Sequence, residues 1–400
     1  MKTGKQSLHI VHLAKYYPPS PGGMETHIAC LARQLTQKGA RVSVVCINDR
    51  DGVSGASATG FFGPTAPSRE NDAGVEVLRV GRWLSFGSVD MPRGLMASIR
   101  EALRSEPDVV HLHTPNPVMT VALRRAGAMV PLVITHHSDV IRQRTLRKVF
   151  APLEHWVYRQ AGAIITTSPV YSSGSQLLKD FKEKVRCVPL GIDLAPFLAP
   201  SPEAVLEEGR MRRSLPGPIW LVVGRLVYYK GVEVAIRALT GLAGTLIIVG
   251  TGPLREKLSR LAEKEGLAAR VRFLGNVTPA TLAGAYRAAT ALLFPSCARS
   301  EAFGLVQVEA MASGCPVINA SIAGSGVPWV SRDGDTGLTV PTDDPMALAE
   351  AANRLLADPA LRERLGQRGR ARALAEFEEG HMADLTLAVY EQIGSRRKPE

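Results

Sequence analysis

Short apolar runs alternate with segments of helical spacing along nearly the whole chain. The first run, 8–13, is broken by two histidines, and a stiff Tyr-Tyr-Pro-Pro-Ser-Pro loop follows, ending in Gly22 and Gly23. Residues 24–38 place Ile28, Leu31 and Leu35 on one face, the period of a helix, with Gly39 as its C-terminal cap. Strand-like runs recur at 42–47, 75–80, 108–113, 132–135, 163–167 and 185–189, and helices are predicted over 92–104, 118–126, 144–160 and 169–180. Residues 49–71, rich in Gly, Ser, Ala and Pro, read as a mobile loop. Five prolines over 196–218 separate this series from a second one, with strands at 219–223, 246–249, 271–274, 291–295, 317–318 and 337–340. Helical segments at 232–239, 254–264, 280–289 and 305–312 lie between them, and helices close the chain. Strands that alternate with helices predict parallel, doubly wound sheets of the α/β class. The expected organisation is an N-terminal domain over 1–195, a linker over 196–217, a second domain over 218–380, and a C-terminal helix with a basic tail over 381–400.

Length and composition narrow the function classes. Four hundred residues suffice for two ordinary cores, and 45% apolar with 21% charged residues is a globular profile. The net charge of +11 admits nucleic acid, an anionic membrane surface or anionic substrates as partners. Nucleic acid is disfavoured, because aromatic residues make up only 6% and no nucleic-acid motif appears. The basic clusters at 142–148, 210–213 and 396–398 each read first as solvated faces. Five cysteines without metal or redox spacing suit a reducing compartment. The first residues do not have the form of a signal peptide, and no run of about 18 apolar residues occurs. The expected location is cytoplasmic, extending to peripheral contact with the inner face of the plasma membrane.

The chemistry-bearing residues fall at strand exits. The stretch 292–317 reads strand, loop, helix, strand, with Glu301 in the loop and Glu309 on the helix. In an open α/β sheet, ligands bind beyond the carboxyl ends of strands, and a helix N-terminus there favours anions. Two carboxylates suit sugar or ribose hydroxyls, although a loop acid and an exposed helix acid would look the same. Arg225 and Lys230 flank the turn after 219–223, where two cations can neutralise a diphosphate. Gly22 and Gly23 let backbone approach a ligand closely, and they equally suit a plain helix cap. Gly250-Thr251-Gly252 is half of a dinucleotide fingerprint without its third glycine, and the first βαβ unit lacks the pattern, which argues against a dehydrogenase. Among nine histidines, His111 with His113 and His136 with His137 lack zinc-site spacing, so no metal is assigned. His137, at a strand exit, is a candidate substrate contact. There is no GxSxG elbow and no P-loop, so neither a serine hydrolase nor an NTPase is supported.

Seven motifs occur in order on these exit loops: PGGME at 21–25, HHSD at 136–139, PLGID at 189–193, GRLVYYKG at 224–231, GTGP at 250–253, FLGNV at 273–277 and SEAFGLVQVEAMASGCPV at 300–317. Together they resemble the retaining glycosyltransferases of family 4, over nearly the whole chain. GRLVYYKG with SGVPWV at 325–330 is most similar to the mannosyl- and rhamnosyltransferase branch acting on bacterial cell-surface polysaccharides. The resemblance implies the GT-B fold: two Rossmann-like domains facing an interdomain cleft, with the C-terminal helix crossing back to the first domain. It implies that Glu301 contacts the donor sugar hydroxyls, that Glu309 binds the ribose, and that Phe303, Gly304 and Leu305 offer backbone amides to the phosphates and sugar. Arg225 and Lys230 take the role of the diphosphate-neutralising pair. Gly23, Gly250 and Gly252 line the donor site, Val277 lies at the base, and His137 stands near the reacting carbon, with His136 as the other candidate. Catalytic roles thus fall to His137, Glu301, Arg225 and Lys230. Arg299, before the first glutamate, is a position where the family varies, and it leaves the donor open. The implied reaction needs neither metal nor other cofactor. The implied partners are a nucleotide-sugar donor, GDP-linked before UDP-linked, and a glycan or polyprenyl-linked acceptor. The basic helix over 142–159 adds peripheral contact with an anionic membrane. A nucleotide-sugar epimerase on the same fold, or a non-catalytic nucleotide-sugar-binding module, would share the fold and the diphosphate site.

Overall fold

The computed structural model describes residues 7–20, 22–49, 61–86, 89–127, 130–139 and 144–395. The chain divides into two compact units, Met1–Ile192 with Glu379–Glu400, and Asp193–Glu378.

The first unit is built on an eight-stranded sheet. Its order is Val185–Cys187, Ala163–Thr166, Leu132–His136, Val109–Thr114, His9–Leu13, Arg41–Ile47, Val75–Val80, Ser68–Asp72. Every pairing is parallel except the last. The inner strands read as near-continuous apolar runs because helices cover both faces of a parallel sheet. The order reverses between His9–Leu13 and Val109–Thr114, which makes their exits the crevice of this sheet. The second unit has a six-stranded parallel sheet in the order Val271–Gly275, Thr245–Val249, Ile219–Val223, Ala291–Phe294, Val317–Ala320, Gly337–Val340. Here the reversal lies between Ile219–Val223 and Ala291–Phe294. Trp220 is fully buried in this core, and its indole nitrogen donates to the Ala243 carbonyl at 2.8 Å, so the ring is buried without leaving a donor unpaired.

The structure departs from the sequence expectations at several places. Within the predicted loop 49–71, residues 50–60 lie outside the described residues, and Ser68–Asp72 is an edge strand antiparallel to Val75–Val80. Its sequence, SREND, has no apolar side, so only backbone pairing holds it in the sheet. The helix expected over 92–104 is shorter, Leu95–Arg104, because Gly94 takes a left-handed conformation (φ 83°) and Val89–Pro92 pairs with Arg82–Phe86. The expected linker 196–217 carries a thirteen-residue helix, Pro202–Ser214, capped by Ser201 Oγ. That helix belongs to the second unit and packs on Pro279–Ala288 so closely that a Cβ at Gly284 would lie 2.8 Å from the Ala204 carbonyl oxygen. Arg287 pairs with Glu208 at 2.7 Å across the same contact. The basic cluster 210–213 is therefore partly salt-bridged on this helix, through Arg210 to Glu207 and Arg212 to Glu208. The last helix, Glu379–Ser395, returns to the first unit as expected and packs on Gly23–Gln37. Gln34 Nε2 donates to Glu379 Oε1 at 2.8 Å, and Lys38 pairs with Asp384 at 2.6 Å. The basic tail at 396–398 lies outside the described residues.

The loop after the first strand is anchored by buried charge. Tyr16 donates to Asp90 and Tyr17 to Asp72, both at 2.7 Å. The Arg79 guanidinium, fully buried, reaches Glu70 and donates to the Tyr17 and Pro18 carbonyls. Arg82, also fully buried, lies 3.2 Å from Asp49 and 3.7 Å from Asp90, and both carboxylates are as deeply buried as the arginine. An arginine at such a place is tolerated because its planar fork meets carboxylates directly. Arg82→Met removes the buried cation that Asp49 and Asp90 share, with Lys15 remaining 3.8 Å from Asp90, and is expected to cost about 3–5 kcal/mol. Urea denaturation of the variant reads this as a lowered midpoint; a midpoint equal to the wild type would show that the ion pairs contribute nothing net.

Candidate functional site

In the second unit the site forms where two exit loops touch. The strand Ile219–Val223 leads into a 3-10 turn, Tyr228–Lys230, and then Gly231. Gly231 is left-handed (φ 62°), and a Cβ there would lie 2.0 Å from the Pro295 carbonyl oxygen. Only glycine permits both the backbone angle and the approach. The Cys297 amide donates to the Tyr229 carbonyl at 2.9 Å, joining this loop to the one that leaves Ala291–Phe294.

That contact sets Lys230 Nζ 2.5 Å from Glu301 Oε2, with both side chains more than four-fifths buried. Ser296 Oγ donates to the same carboxylate oxygen at 3.3 Å, and the Ser325 hydroxyl donates to the Glu301 carbonyl. Lys230 also faces the Phe294 ring, 5.1 Å from its centroid. Arg225, on the same loop, donates to the Tyr229 hydroxyl at 3.1 Å. Glu309 lies within the helix Leu305–Ala312, where it accepts from Tyr286 Oη at 2.7 Å. Burial raises the Glu309 carboxyl above its ordinary range, against the opposing pull of Tyr286 and the Lys230 charge. Lys230, Glu301 and Glu309 thus belong to one electrostatic cluster.

The remaining donor-side candidates divide by their reasons. Gly304 caps the helix in a left-handed conformation (φ 80°), and a Cβ there would fall 2.6 Å from the Phe294 ring. The helix start carries no side-chain cap, and Leu305 is its first residue. Phe303 is buried against Phe377 and Trp329, so its side chain is a packing group and only its backbone can serve a ligand. Gly250 and Gly252 have a packing reason of their own. Their Cβ atoms would lie 2.1 Å from the Gly224 carbonyl oxygen and 2.6 Å from Leu226 backbone, so these glycines let the exit turns nest. Val277, half-buried, sits between Val271–Gly275 and the helix Pro279–Ala288.

In the first unit, His136 and His137 have different surroundings. His136 is fully buried, with Nδ1 2.6 Å from Tyr158 Oη and Nε2 3.2 Å from Asp139. His137 is 8% exposed, and its Nε2 lies 3.0 Å from His113 Nδ1, whose Nε2 in turn lies 3.0 Å from His12 Nδ1. Burial, reinforced by neighbouring histidines, holds His113 and His137 well below the usual histidine range and pushes His12 down to about 3. These rings are neutral at physiological pH. Gly23 opens the helix Gly23–Gln37, and a Cβ there would meet nothing within 4 Å. Among the described residues, packing gives no reason for a glycine at this position.

Tyr286, Ser296, Ser325 and the buried amide pair beneath the helix were not picked out as site residues from sequence. Gln307 Nε2 donates to the Phe303 carbonyl at 2.9 Å, and Asn319 donates to Gln307 Oε1 at 2.9 Å and to the Ser331 carbonyl at 2.8 Å. Ser296 and Ser325 lie within or beside the motif stretches, which was the available signal. Tyr286 sits in an ordinary helix and carried none.

Two family models match the chain, Glycosyltransferase Family 4 over residues 21–196 and Glycosyl transferases group 1 over 211–372. D-rhamnosyltransferase WbpZ of Pseudomonas aeruginosa is 35% identical, over 72% of this chain and 74% of the relative. The O-antigen chain mannosyltransferase C of Escherichia coli is 28% identical over 96% and 98%. A sucrose-phosphate synthase from Thermosynechococcus elongatus superposes with a TM-score of 0.78 at 24% identity, over 97% of this chain and 100% of that one, and so shares the fold.

The raised Glu309 carboxyl has a consequence for stability. In the folded chain it holds its proton at pH values where the unfolded chain has already lost it, so stability falls as pH rises from the unfolded to the folded value. Glu309→Gln removes that loss. Its Tm relative to the wild type is expected to rise with pH through the acid range and level off once the folded carboxyl is ionised. A difference that stays flat with pH would contradict the assignment.

Proposed function

The chain belongs to glycosyltransferase family 4, and from that premise we propose that it is a retaining hexosyltransferase, moving mannose or rhamnose from a nucleoside-diphosphate sugar to a glycan or polyprenyl-linked acceptor in cell-surface polysaccharide synthesis. The observation that carries the reading is the Lys230–Glu301 contact at the exits of the two central strands of the second unit. Without a donor, the two charges compensate each other in a poorly solvated place. A diphosphate arriving at this turn draws Lys230 to itself and frees the Glu301 oxygens to accept from sugar hydroxyls. Arg225 adds its fork, and the uncapped amides at 303–305 add the helix dipole. Glu309 takes the ribose hydroxyls. By the family resemblance, backbone at Gly23 is assigned to the diphosphate and His137 to the reacting carbon.

As the sugar leaves, negative charge grows on the departing phosphate. Cations and amides already in place stabilise it without reorganising, which is the larger part of catalysis in such sites. Retention follows if the acceptor attacks from the face of departure, with the leaving phosphate oxygen taking the acceptor's proton. Arg225, Lys230 and the helix amides supply the positive charge for the transfer. His137, neutral and 8% exposed, contributes a ring nitrogen rather than a charge. The names of the relatives support a mannosyl or rhamnosyl donor; a GDP-linked donor before a UDP-linked one is part of the proposal and is read by the donor panel. Lys230→Met and Glu301→Gln are each expected to lower kcat by about 10²–10³-fold with Tm nearly kept. Turnover assays with GDP-mannose, GDP-rhamnose, UDP-glucose and UDP-N-acetylglucosamine check this; near-normal turnover in both variants would sink the site. Formation of an epimer without acceptor would replace transfer by epimerisation.

No helix among the described residues is long and apolar enough to cross a membrane. Cytoplasmic location with peripheral contact at the inner leaflet rests on the helix Arg144–Gln160; the side chains at 142–148 lie outside the described residues. Each cation near an anionic surface contributes about 1 kcal/mol, so co-sedimentation with phosphatidylserine vesicles is expected at low salt and lost at high salt. No binding at either salt removes the membrane contact.

A further inference from the structure

Five histidine rings pack together in the first unit beside the reversal of its strand order. They are His12 from the first strand, His111 and His113 from Val109–Thr114, His137 after Leu132–His136, and His27 from the helix Gly23–Gln37. Neighbouring ring centroids lie 4.4–5.9 Å apart, and no ring is more than 8% exposed. Both ring nitrogens of His27 are buried and have no hydrogen-bond partner among the described residues, as is true of Nε2 of His12. A neutral imidazole carries one N–H and one lone pair, so His27 leaves a donor and an acceptor both unsatisfied. Buried polar groups in this condition mark a missing ion or water.

Two triads offer one ring nitrogen each, mutually within 4.8 Å: His12 with His111 and His113, and His27 with His113 and His137. The first is already spent, because His111 reaches Tyr390 Oη at 2.6 Å and Thr135 Oγ1 at 2.7 Å with its two nitrogens. The second is free to change. His113 Nδ1 and His137 Nε2 lie 3.0 Å apart, close to the roughly 3.3 Å that separates two nitrogens bound about 2.0–2.1 Å from a tetrahedral metal.

We propose that His27, His113 and His137 form a binding site for a transition-metal dication, zinc foremost, separate from the donor chemistry of the second unit. Three imidazoles with no carboxylate or thiolate among them suit zinc, cobalt, nickel or copper and do not suit the oxygen-seeking magnesium or calcium. Binding conserves protons by a change of tautomer. The lone pairs of His113 Nδ1 and His137 Nε2 turn to the metal, and each ring keeps its hydrogen on the other nitrogen. His113 Nε2–H then donates to His12 Nδ1, 3.0 Å away, the outer partner that orients a metal-binding histidine. His27 moves one nitrogen inward, and a water fills the fourth position. The proposal stands on side chains of the first unit alone; it shares His137 with the proposed transfer site, and metal titration reads it without turnover.

The test uses the full chain after dialysis against chelator. Titration with Co²⁺ is expected to give one equivalent bound, with the visible absorption of a tetrahedral ion. Zn²⁺ should displace it and raise Tm, and Mg²⁺ should do neither. His27→Leu breaks no hydrogen bond of the protein, so its metal-free Tm is expected to match the wild type while the cobalt spectrum and the zinc shift are lost. His155→Gln, which alters an exposed histidine, keeps both. Absence of the cobalt band in the wild type, or the same titration in His27→Leu, overturns the proposal and leaves water as the occupant.

Discussion

The contact between Gly231 and Pro295 is the constraint on which the second unit's site depends. Two parallel strands at the reversal of sheet order send their loops out side by side. The loops meet only because position 231 has no side chain and accepts a left-handed backbone. From that contact follow the Tyr229–Cys297 backbone bond and the Lys230–Glu301 pair, and Ser296 donates to the same carboxylate oxygen. A side chain at 231 would separate the cation from the acid without touching either.

A common electrostatic arrangement runs through both units. Charges are placed where water is scarce, and each is matched by a partner that a loop brings in. Arg79 and Arg82 do this beneath the loop that leads to Gly23, and Lys230 does it with Glu301. In the first case the partners hold a loop still. In the second, the two charges compensate each other, and under the proposed function an arriving diphosphate competes for the lysine and releases Glu301. Low local dielectric makes both effects stronger than they would be at a surface. The histidines form the opposite case: packed together and buried, they stay neutral.

The candidate donor residues were legible in the sequence because their signals are local. A run of β-formers, a Gly-rich exit and a helix start lie within a few residues of one another, so Arg225, Lys230 and Glu301 were visible at strand exits and Glu309 on the helix that follows. The Gly250 and Gly252 turn reads from sequence as half of a dinucleotide fingerprint and, by resemblance, as part of the donor site, whereas a Cβ at either position would collide with the backbone of residues 224–226, a neighbour that sequence spacing does not reveal. Tyr286 was invisible for a related reason: its hydroxyl meets Glu309 across two helices, and nothing in an alanine-rich helix announces it.

What the sequence by itself determined is the alternation of elements, hence two doubly wound sheets, and the strand exits at which charged and glycine residues sit. Periodicity and turn chemistry are short-range, so the chain carries them openly. The tertiary structure alone decided which exits are neighbours. It made 202–214 a packed helix of the second unit rather than a linker, and drew the edge strand Ser68–Asp72 out of an apparent loop. It also gathered five histidines, 125 residues apart at the extremes, into one buried cluster. Those outcomes depend on strand order and long-range pairing, which bring distant residues together without leaving any mark in local spacing.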